Sequence, residues 1–298
     1  MKLFIIEQWL HHKNRIGLIL MLEYLKNNNL IPNLKYIFGS VNNVYDDTWD
    51  VIYSPATRLD ASKFEKTKII FGPHFSVFPN KMLTTINNKL KNAVYIQPSD
   101  WARDTWIHLH AQLFLPIKTL SFAVDIENFK PDTEINNRDE IFVYFKSRSQ
   151  HEMNLLEKAL KTKNVNYKIF SYLQKYQEND YLNTLKKAKF GIVLGRHESQ
   201  GFAIEEALSC NVPLLVWSCV DMSQEVVQNY PKIPATTVPY WDERCGEIFY
   251  KWGEFENSFN TFLKNLKLGK YAPRDYIVEN LSAKPCAERL LTLINEIK

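Results

Sequence analysis

Short apolar runs that are typical of strands alternate with longer helical patterns along the whole chain. Such alternation favours parallel sheets that carry helices on both faces. The predicted strands are 2–6, 35–38, 51–53, 68–71, 93–97 and 118–121, followed by 141–145, 167–170, 190–194, 213–217 and 235–238. The predicted helices are 16–26, 81–90, 151–162, 179–187, 202–209, 256–266 and 285–297. The sequence therefore predicts the α/β class.

The two series of strands are separated by residues 129–140, the most polar run in the middle of the chain. We place a linker within 123–139, which gives an N-terminal lobe at 1–125 and a C-terminal lobe at 126–298. A length of 298 residues suits two domains of roughly 100–200 residues each. The last predicted helix is the element of the second lobe that could pack back on the first.

Composition excludes several classes of protein. With 45% hydrophobic and 23% charged residues, the chain is neither collagen-like nor disordered. Its net charge of +4 comes without a Lys/Arg block interleaved with aromatic residues, so nucleic acid is not the expected ligand. No apolar stretch reaches the roughly 18 residues that a membrane-spanning helix needs.

The N-terminus and the cysteines indicate the compartment. The apolar run before Glu7 is too short for a signal peptide and is predicted to be a strand. Cys210, Cys219, Cys245 and Cys286 form no Cys-x-x-Cys pair, so we expect buried free thiols in a reducing compartment. We predict a cytoplasmic protein with at most peripheral contact to a membrane.

Residues 190–216 are the most informative segment, with a buried strand, a polar loop, a helix, a turn and a second buried strand. In open parallel sheets, ligands bind at the carboxyl ends of the strands. Gly201 would let the backbone approach a ligand, and the helix that follows would offer N–H groups to a phosphate. Glu206, just over one turn into this helix, could bind two vicinal ribose hydroxyls. Alternatively, acidic residues near the helix start only complement its dipole.

Glu198, seven further residues and then 206–213 resemble the Glu-x7-Glu signature of retaining glycosyltransferases of family 4, which have the GT-B fold. Other segments resemble that family in the same order along the chain. Residues 69–74 resemble a strand of the first lobe that delivers a histidine, and 124–131 resemble the segment that ends that lobe. Residues 144–148 resemble the start of the second lobe, and 224–227 resemble a segment that follows one of its strands. The resemblance covers nearly the whole chain.

The chain also departs from the family's pattern. Gln200, Glu205 and Asn211 stand where the family usually has Phe, an apolar residue and Gly, and Phe202 comes two positions after the usual Phe. The Gly-rich loop after the first strand is reduced to Gly17. These departures concern the donor-sugar contacts and, to a greater extent, the acceptor loop.

The resemblance implies two Rossmann-like lobes with an interlobe cleft. The implied reaction moves a sugar from a nucleotide-diphosphate sugar to a hydroxyl of a glycan or a lipid-linked glycan, with anomeric retention. It makes the protein a hexosyltransferase that needs neither a metal nor a cofactor besides its donor substrate.

Residue chemistry and the resemblance together give the candidate site. Glu198 would face the donor sugar, and His74, at a strand end, is the second catalytic candidate. Lys146 and Arg148 lie two apart after a strand, so both should face one way and bind the diphosphate. The other donor-binding candidates are Ser199, Gln200, Gly201, Phe202 and Glu206. The acceptor-side candidates are Gly17, Ser99 and Asp100.

Several candidates have a structural alternative. Lys146 and Arg148 could be solvated surface cations. His74 could be a loop histidine with satisfied hydrogen bonds. Ser99 could be the cap of the helix that begins there.

The sequence also contains two possible metal sites, but neither is a strong prediction. Asp46, Asp47 and Asp50 precede a short strand and are expected to form a solvated turn. His108 and His110 lie on one side of an extended segment but have no carboxylate or cysteine partner in sequence.

Two other functions remain open at this point, because a fold does not establish a function. One is a sugar-nucleotide epimerase or hydrolase that uses the same donor site. The other is a non-catalytic scaffold that binds a nucleotide or assembles a complex.

Overall fold

The computed structural model describes residues 1–56, 59, 63–73, 91–110, 115–174, 176–226 and 229–298. These residues form two compact units, Met1–Asp125 together with Leu281–Lys298, and Ile126–Asn280. The first unit therefore includes the C-terminal segment. Each unit contains one parallel sheet, and the α/β class predicted from the sequence is confirmed.

The sheet of the first unit carries six strands within the described ranges. They are β1 (Lys2–Ile6), β2 (Lys35–Gly39), β3 (Val51–Ser54), β4 (Lys68–Phe71), β5 (Ala93–Gln97) and β6 (Ile117–Thr119). The strand order is β2-β1-β3-β4-β5-β6, and every neighbouring pair is parallel. β1, β3, β4 and β5 are almost entirely buried and apolar, as expected for strands covered on both faces.

Three helices of the first unit are α1 (His12–Asn27), α2 (Asp100–His108) and α8 (Ala283–Glu296). α1 packs against α8. The buried stripe of α1, with the spacing i, i+3, i+4 and i+7, consists of Leu18, Met21, Leu22 and Leu25. A Cβ at Gly17 would lie 2.7 Å from the carbonyl oxygen of Ala123. Glycine at this position therefore permits the close packing of α1 on the chain at Ala123.

The sheet of the second unit carries five strands within the described ranges. They are β7 (Glu140–Phe145), β8 (Lys168–Ser171), β9 (Ala188–Leu194), β10 (Leu214–Trp217) and β11 (Gly246–Phe249). The order is β11-β10-β9-β7-β8, again with parallel pairs throughout. β9 lies at the centre with β10 and β7 on either side, so the loops that follow these three strands lie at the middle of the sheet's carboxyl edge.

The helices of the second unit are α3 (Gln150–Thr162), α4 (Glu178–Lys187), α5 (Phe202–Ser209), α6 (Phe255–Lys267) and α7 (Pro273–Leu281). A capping box starts α3: the Ser149 hydroxyl accepts from the N–H of Glu152, and the Glu152 carboxylate accepts from the N–H of Ser149. α3 and α6 contribute to one apolar core on the sheet, which includes Leu156, Phe190, Leu215, Phe259 and Phe262.

Most predicted strands and helices agree with the structure to within a few residues. The predicted strand at 235–238 is wrong: this segment is a loop, in which Thr237 accepts a hydrogen bond from the N–H of Cys219. The fifth strand of this sheet is β11, which sequence analysis missed because its four residues carry little apolar pattern. α7 was also missing from the predicted helices, whereas α2 was expected only as the helix that Ser99 would cap. The predicted helix at 81–90 lies outside the described residues.

In the described parts of the chain, no helix is long and apolar enough to span a membrane.

Candidate functional site

Polar residues follow the three central strands of the second sheet at its carboxyl edge. Lys146 comes directly after β7, residues 195–201 connect β9 to α5, and Ser218 follows β10. The backbone N–H of Lys146 donates to the carbonyl of Leu194 (2.9 Å). This hydrogen bond continues the ladder between β7 and β9 by one residue and brings the two loops together.

Lys146, predicted to bind the diphosphate, and Glu198, predicted to be catalytic, form an ion pair. The Lys146 Nζ lies 2.7 Å from Glu198 Oε1 and donates to Oε2 at 2.9 Å. The two side chains are only 22% and 12% exposed. Burial opposes the charged ammonium, but the Glu198 carboxylate outweighs burial and raises the pKa of Lys146. The ammonium also lies 4.7 Å from the ring centre of Tyr172, so this small site holds a cation, an anion and an aromatic face.

Arg148 occupies a different environment, although it is only two residues from Lys146. Its side chain is 1% exposed. Its guanidinium donates to the carbonyls of Gly195 (2.8 Å), Trp217 (2.7 Å) and Ser218 (3.0 Å) and stacks over the Trp217 ring at 4.2 Å. Burial lowers the pKa of Arg148 to about 10. This guanidinium thus ties the ends of β9 and β10 to α3 instead of facing a ligand.

Glu152 joins Arg148 to a second arginine. Its carboxylate accepts from Arg148 Nη1 (2.6 Å) and from Arg196 Nη2 (2.9 and 3.0 Å). Burial acts against ionisation, but hydrogen bonds from Ser149 and the two arginines together lower the pKa of Glu152. The Arg196 Nε is buried and has no hydrogen-bond partner among the residues that the structure describes.

The loop between β9 and α5 is held by backbone hydrogen bonds. The N–H of Glu198 donates to the carbonyl of Thr236 (3.0 Å). Gly201 is in the left-handed region (φ +93°, ψ 45°) and caps α5. Its carbonyl accepts from the N–H groups of Ile204 (2.9 Å) and Glu205 (3.0 Å). The first N–H groups of a helix have no partner within it and carry its positive dipole end, so the α5 start offers donors beside Glu198.

Replacing Gly201 by alanine should destabilise the protein by about 1–2 kcal/mol, because a side chain in the left-handed region is strained. The new Cβ would also lie 3.4 Å from the Cβ of Glu198. Urea denaturation measures the change.

The matched control is Gly253→Ala, where no atom of the described residues outside its chain neighbours lies within 4 Å of the added Cβ and φ is not positive. We expect a change within about 0.5 kcal/mol for this control. Equal stability of the two variants would contradict the conformational argument.

Gln200, Glu205 and Glu206 are buried. Glu206 lies within electrostatic range of Tyr176 and Tyr181 and adds to the effect of burial in raising their pKa values. Phe202 is half-buried at the first position of α5, and Ser199 is half-buried in the loop. The site therefore combines a partly accessible pair, Lys146 and Glu198, with carboxyl groups buried behind it.

The acceptor-side candidates belong to the first unit. Gly17 is buried inside α1, where packing accounts for it. Ser99 is the N-cap of α2, but its hydroxyl is buried and has no hydrogen-bond partner among the described residues. Asp100 is 73% exposed and accepts from Arg103 Nη1 (2.8 Å) and the Thr119 hydroxyl (2.7 Å). His74, the second catalytic candidate, lies outside the described residues.

Several residues of this edge were missed in the sequence. Glu152 could have been found from the Ser-x-x-Glu capping box at the start of α3. Arg196 could have been noted because it shares a loop with Glu198. Glu225 lies in the segment 224–227 that resembles the family but was not proposed as a site residue. It contacts the imidazole of His197 and accepts from its backbone N–H (3.3 Å). No sequence pattern marks Tyr172.

The acidic cluster before β3 makes local contacts. Asp47 forms an ion pair with the Lys2 ammonium (2.6 Å), and Asp50 accepts from the Lys2 N–H (2.6 Å). Across the described ranges, no group of three or more His, Cys, Asp or Glu side chains is placed to hold a metal ion.

Comparison with known proteins identifies the fold. No protein-family model matches the chain, and a comparison with curated protein sequences finds no match. Among solved structures, the chain is similar to AviGT4, a glycosyltransferase involved in avilamycin A biosynthesis, with 10% identity, a TM-score of 0.58 and coverage of 100% of this chain and 98% of that one. It is also similar to the apo form of the lipopolysaccharide outer core galactosyltransferase WaaB, with 12% identity, a TM-score of 0.56 and 99% coverage of both chains.

A third similar structure is sucrose-phosphate synthase from Thermosynechococcus elongatus, with 11% identity, a TM-score of 0.52 and coverage of 83% of this chain and 73% of that one. At such low identity, likeness of structure shows the fold alone. The chain has the GT-B fold, and the fold class predicted from the sequence is confirmed.

Proposed function

We propose that this protein is a glycosyltransferase, similar to the retaining enzymes of family 4, that transfers a sugar from a nucleotide-diphosphate sugar to a hydroxyl acceptor. The observation that carries the proposal is the pair of Lys146 and Glu198 beside the glycine-capped start of α5. A cation and free helix N–H groups suit a diphosphate, and a neighbouring carboxylate suits sugar hydroxyls.

Donor binding would exchange the partner of Lys146. Without donor, the ammonium is neutralised by Glu198 at 2.7 Å. A bound diphosphate would take over the ammonium and the α5 N–H groups, which leaves Glu198 to accept hydrogen bonds from the donor sugar. As the bond from the anomeric carbon to the diphosphate oxygen breaks, negative charge grows on the diphosphate, and Lys146 and the α5 start stabilise it.

The other candidates take supporting roles in this proposal. Glu206 would bind the ribose hydroxyls, since it lies further along α5 than the phosphate-binding start. Ser199, Gln200 and Phe202 would line the donor. Of the two predicted diphosphate ligands, Lys146 would bind the phosphates. Arg148 would support the site indirectly, by holding the ends of β9 and β10 in place.

The acceptor would be a glycan or a lipid-linked glycan, with Ser99 and Asp100 of the first unit as its candidate contacts. We propose a cytoplasmic location, with peripheral membrane contact at most. Since cationic groups can stabilise the leaving diphosphate, we further propose that transfer needs no divalent metal.

A thermal-shift panel of UDP-, GDP-, ADP- and CMP-sugars tests the donor class, because a ligand that binds only the folded state raises the melting temperature. We expect one nucleoside diphosphate sugar to stabilise the protein. The CMP-sugar carries a single phosphate and is the built-in control. Stabilisation by none of the donors, or by the CMP-sugar alone, would contradict the proposal.

Product analysis with the labelled donor found in this way, in EDTA and with added Mg²⁺ or Mn²⁺, tests the reaction. We expect transfer to a carbohydrate acceptor at an undiminished rate in EDTA. Loss of transfer in EDTA that Mg²⁺ or Mn²⁺ restores would overturn the metal-free proposal. Donor epimerisation or hydrolysis, or binding without turnover, would favour the other two functions.

A further inference from the structure

Glu205 is a buried carboxyl group that the proposed reaction leaves unused. It lies in the first turn of α5 and is 1% exposed. Its Oε2 accepts a hydrogen bond from Gln200 Nε2 at 3.1 Å. Its Oε1 is buried and has no hydrogen-bond partner among the described residues. Gln200, 3% exposed, belongs to the loop that carries Glu198.

The surroundings of Glu205 disfavour a negative charge. A buried carboxylate normally has a cation or several hydrogen-bond donors around it, whereas the described residues give Glu205 one amide. The titratable groups near it are Glu206 on the same helix, Glu198 in the preceding loop and Tyr276 on α7, and none of these brings a positive charge. Burial, with the charges of Glu206 and Glu198 adding to it, raises the pKa of Glu205 well above its usual value.

We propose that Glu205 is protonated at neutral pH and, as a neutral acid, fixes the Gln200 side chain so that the loop before α5 holds Glu198 in place for the donor. This role rests on the proposed function. Gln200 lies two residues after Glu198 and two before the first residue of α5, so its hydrogen bond to Glu205 fixes the end of the loop between Glu198 and the helix. Glu205 is then a positioning residue that touches no substrate.

Neutrality also matters for the ligand. Glu198 and Glu206 already bring two carboxylates to a site proposed for a diphosphate. A third charge at Glu205 would repel the same anion within a buried region, where charges are poorly screened. The proton on Glu205 therefore removes a charge that would oppose donor binding while it keeps a hydrogen-bond acceptor for Gln200.

The first experiment needs no ligand and compares the wild type with Glu205→Gln, which is neutral at every pH. In the unfolded chain Glu205 loses its proton near pH 4.5, whereas the folded protein keeps it. The folded state of the wild type therefore binds one proton more above that pH, and its stability falls as pH rises. The ratio of the wild-type unfolding constant to that of Glu205→Gln should rise about tenfold per pH unit between about pH 5 and about pH 7.

Glu256→Gln is the matched control. Glu256 is exposed on α6, and its hydrogen bond from Lys163 lowers its pKa. Glu256 is ionised in the folded and the unfolded state over this pH range. The ratio of the wild-type unfolding constant to that of Glu256→Gln should therefore not change with pH. A flat ratio for Glu205→Gln as well would overturn the protonated state.

The second experiment measures affinity for UDP, GDP and ADP by titration calorimetry at about pH 6.5. Glu205→Gln keeps a neutral acceptor and should bind within about threefold of the wild type. Glu205→Leu fills the same space without an acceptor and should lose about tenfold, the amount expected for one hydrogen bond. The double variant Glu205→Leu, Gln200→Ala should lose no more affinity than Gln200→Ala alone, because Glu205 acts on the donor only through Gln200.

These results separate the two proposals. Affinity of Glu205→Leu equal to that of the wild type, or additive effects of the two substitutions, would overturn the positioning role while the donor site stands. If the wild type binds none of the three nucleotides, the donor proposal fails and the positioning role fails with it. In that case the pH dependence of stability still decides the protonation of Glu205.

Discussion

Replacing Glu198 by glutamine should lower the turnover of sugar transfer by about a hundredfold or more while affinity for the nucleoside diphosphate stays equal or rises. Contacts made to the sugar matter most as the glycosidic bond breaks, so their loss lowers kcat. The effect on affinity has the opposite sign, because Glu198 holds the Lys146 ammonium at 2.7 Å without donor. Glutamine keeps the shape, removes the competing charge and leaves Lys146 to the diphosphate.

Titration calorimetry with the nucleoside diphosphate and steady-state kinetics with the intact donor give the two numbers. Glu206→Gln is the comparison variant, because Glu206 is assigned to the ribose. It should weaken free nucleotide and donor by the same factor and leave kcat nearly unchanged, which is the signature of uniform binding. A parallel loss of affinity in both variants would contradict the division of roles.

A purely structural role of Glu206 would give a different result. If Glu206 only packs beside Tyr176 and Tyr181, Glu206→Gln would change stability and leave nucleotide affinity as in the wild type. Measuring both quantities on the same protein sample separates the two cases.

The contrast between Lys146 and Arg148 shows where sequence reasoning about the site stops. Two residues apart on an extended segment should face the same way, and both were assigned to the diphosphate. β7, however, ends at Phe145, and Ser147 adopts the left-handed region with φ +56°. This turn breaks the alternation, so Lys146 meets Glu198 and Arg148 enters the protein. The sequence does not indicate this turn, since serine is not the usual residue at a position with positive φ.

The fold was easier to predict than the site, for a physical reason. Buried strands such as β5 and β9 are continuous apolar runs, and helices such as α1 repeat their apolar residues with the helical period. The segment 235–238 has β-branched residues as well, but there the threonine hydroxyls serve loop hydrogen bonds. β11 begins at Gly246, where a Cβ would collide with the Leu214 backbone, and pairing with β10 rather than its own sequence makes it a strand.

Arg148→Met should destabilise the protein by about 3–5 kcal/mol, since each buried carbonyl left without a donor costs about 1–3 kcal/mol, and this is a large part of the roughly 5–15 kcal/mol of a typical domain. Methionine fills much of the space but leaves the carbonyls of Gly195, Trp217 and Ser218 without the donors they have now. The charge of Glu152 stays paired, because Arg196 Nη2 and the Ser149 N–H still reach it. The loss of stability therefore measures how much the guanidinium stabilises the ends of β9 and β10. Arg148→Lys should recover little of it, since an ammonium cannot reproduce the hydrogen-bond geometry of the planar guanidinium.

Lys146→Met is the matched control, and it reverses the pattern. Lys146 and Glu198 keep more contact with solvent than Arg148 does, so losing the ammonium should cost less stability than losing the guanidinium, about 1–3 kcal/mol. Affinity for the nucleoside diphosphate should fall about tenfold or more, because a charge-assisted contact is lost. Urea denaturation and calorimetry on both variants test this. If Arg148→Met is as stable as the wild type but binds the nucleotide more weakly, Arg148 must contact the diphosphate, since only a ligand-facing guanidinium would affect binding without affecting the fold.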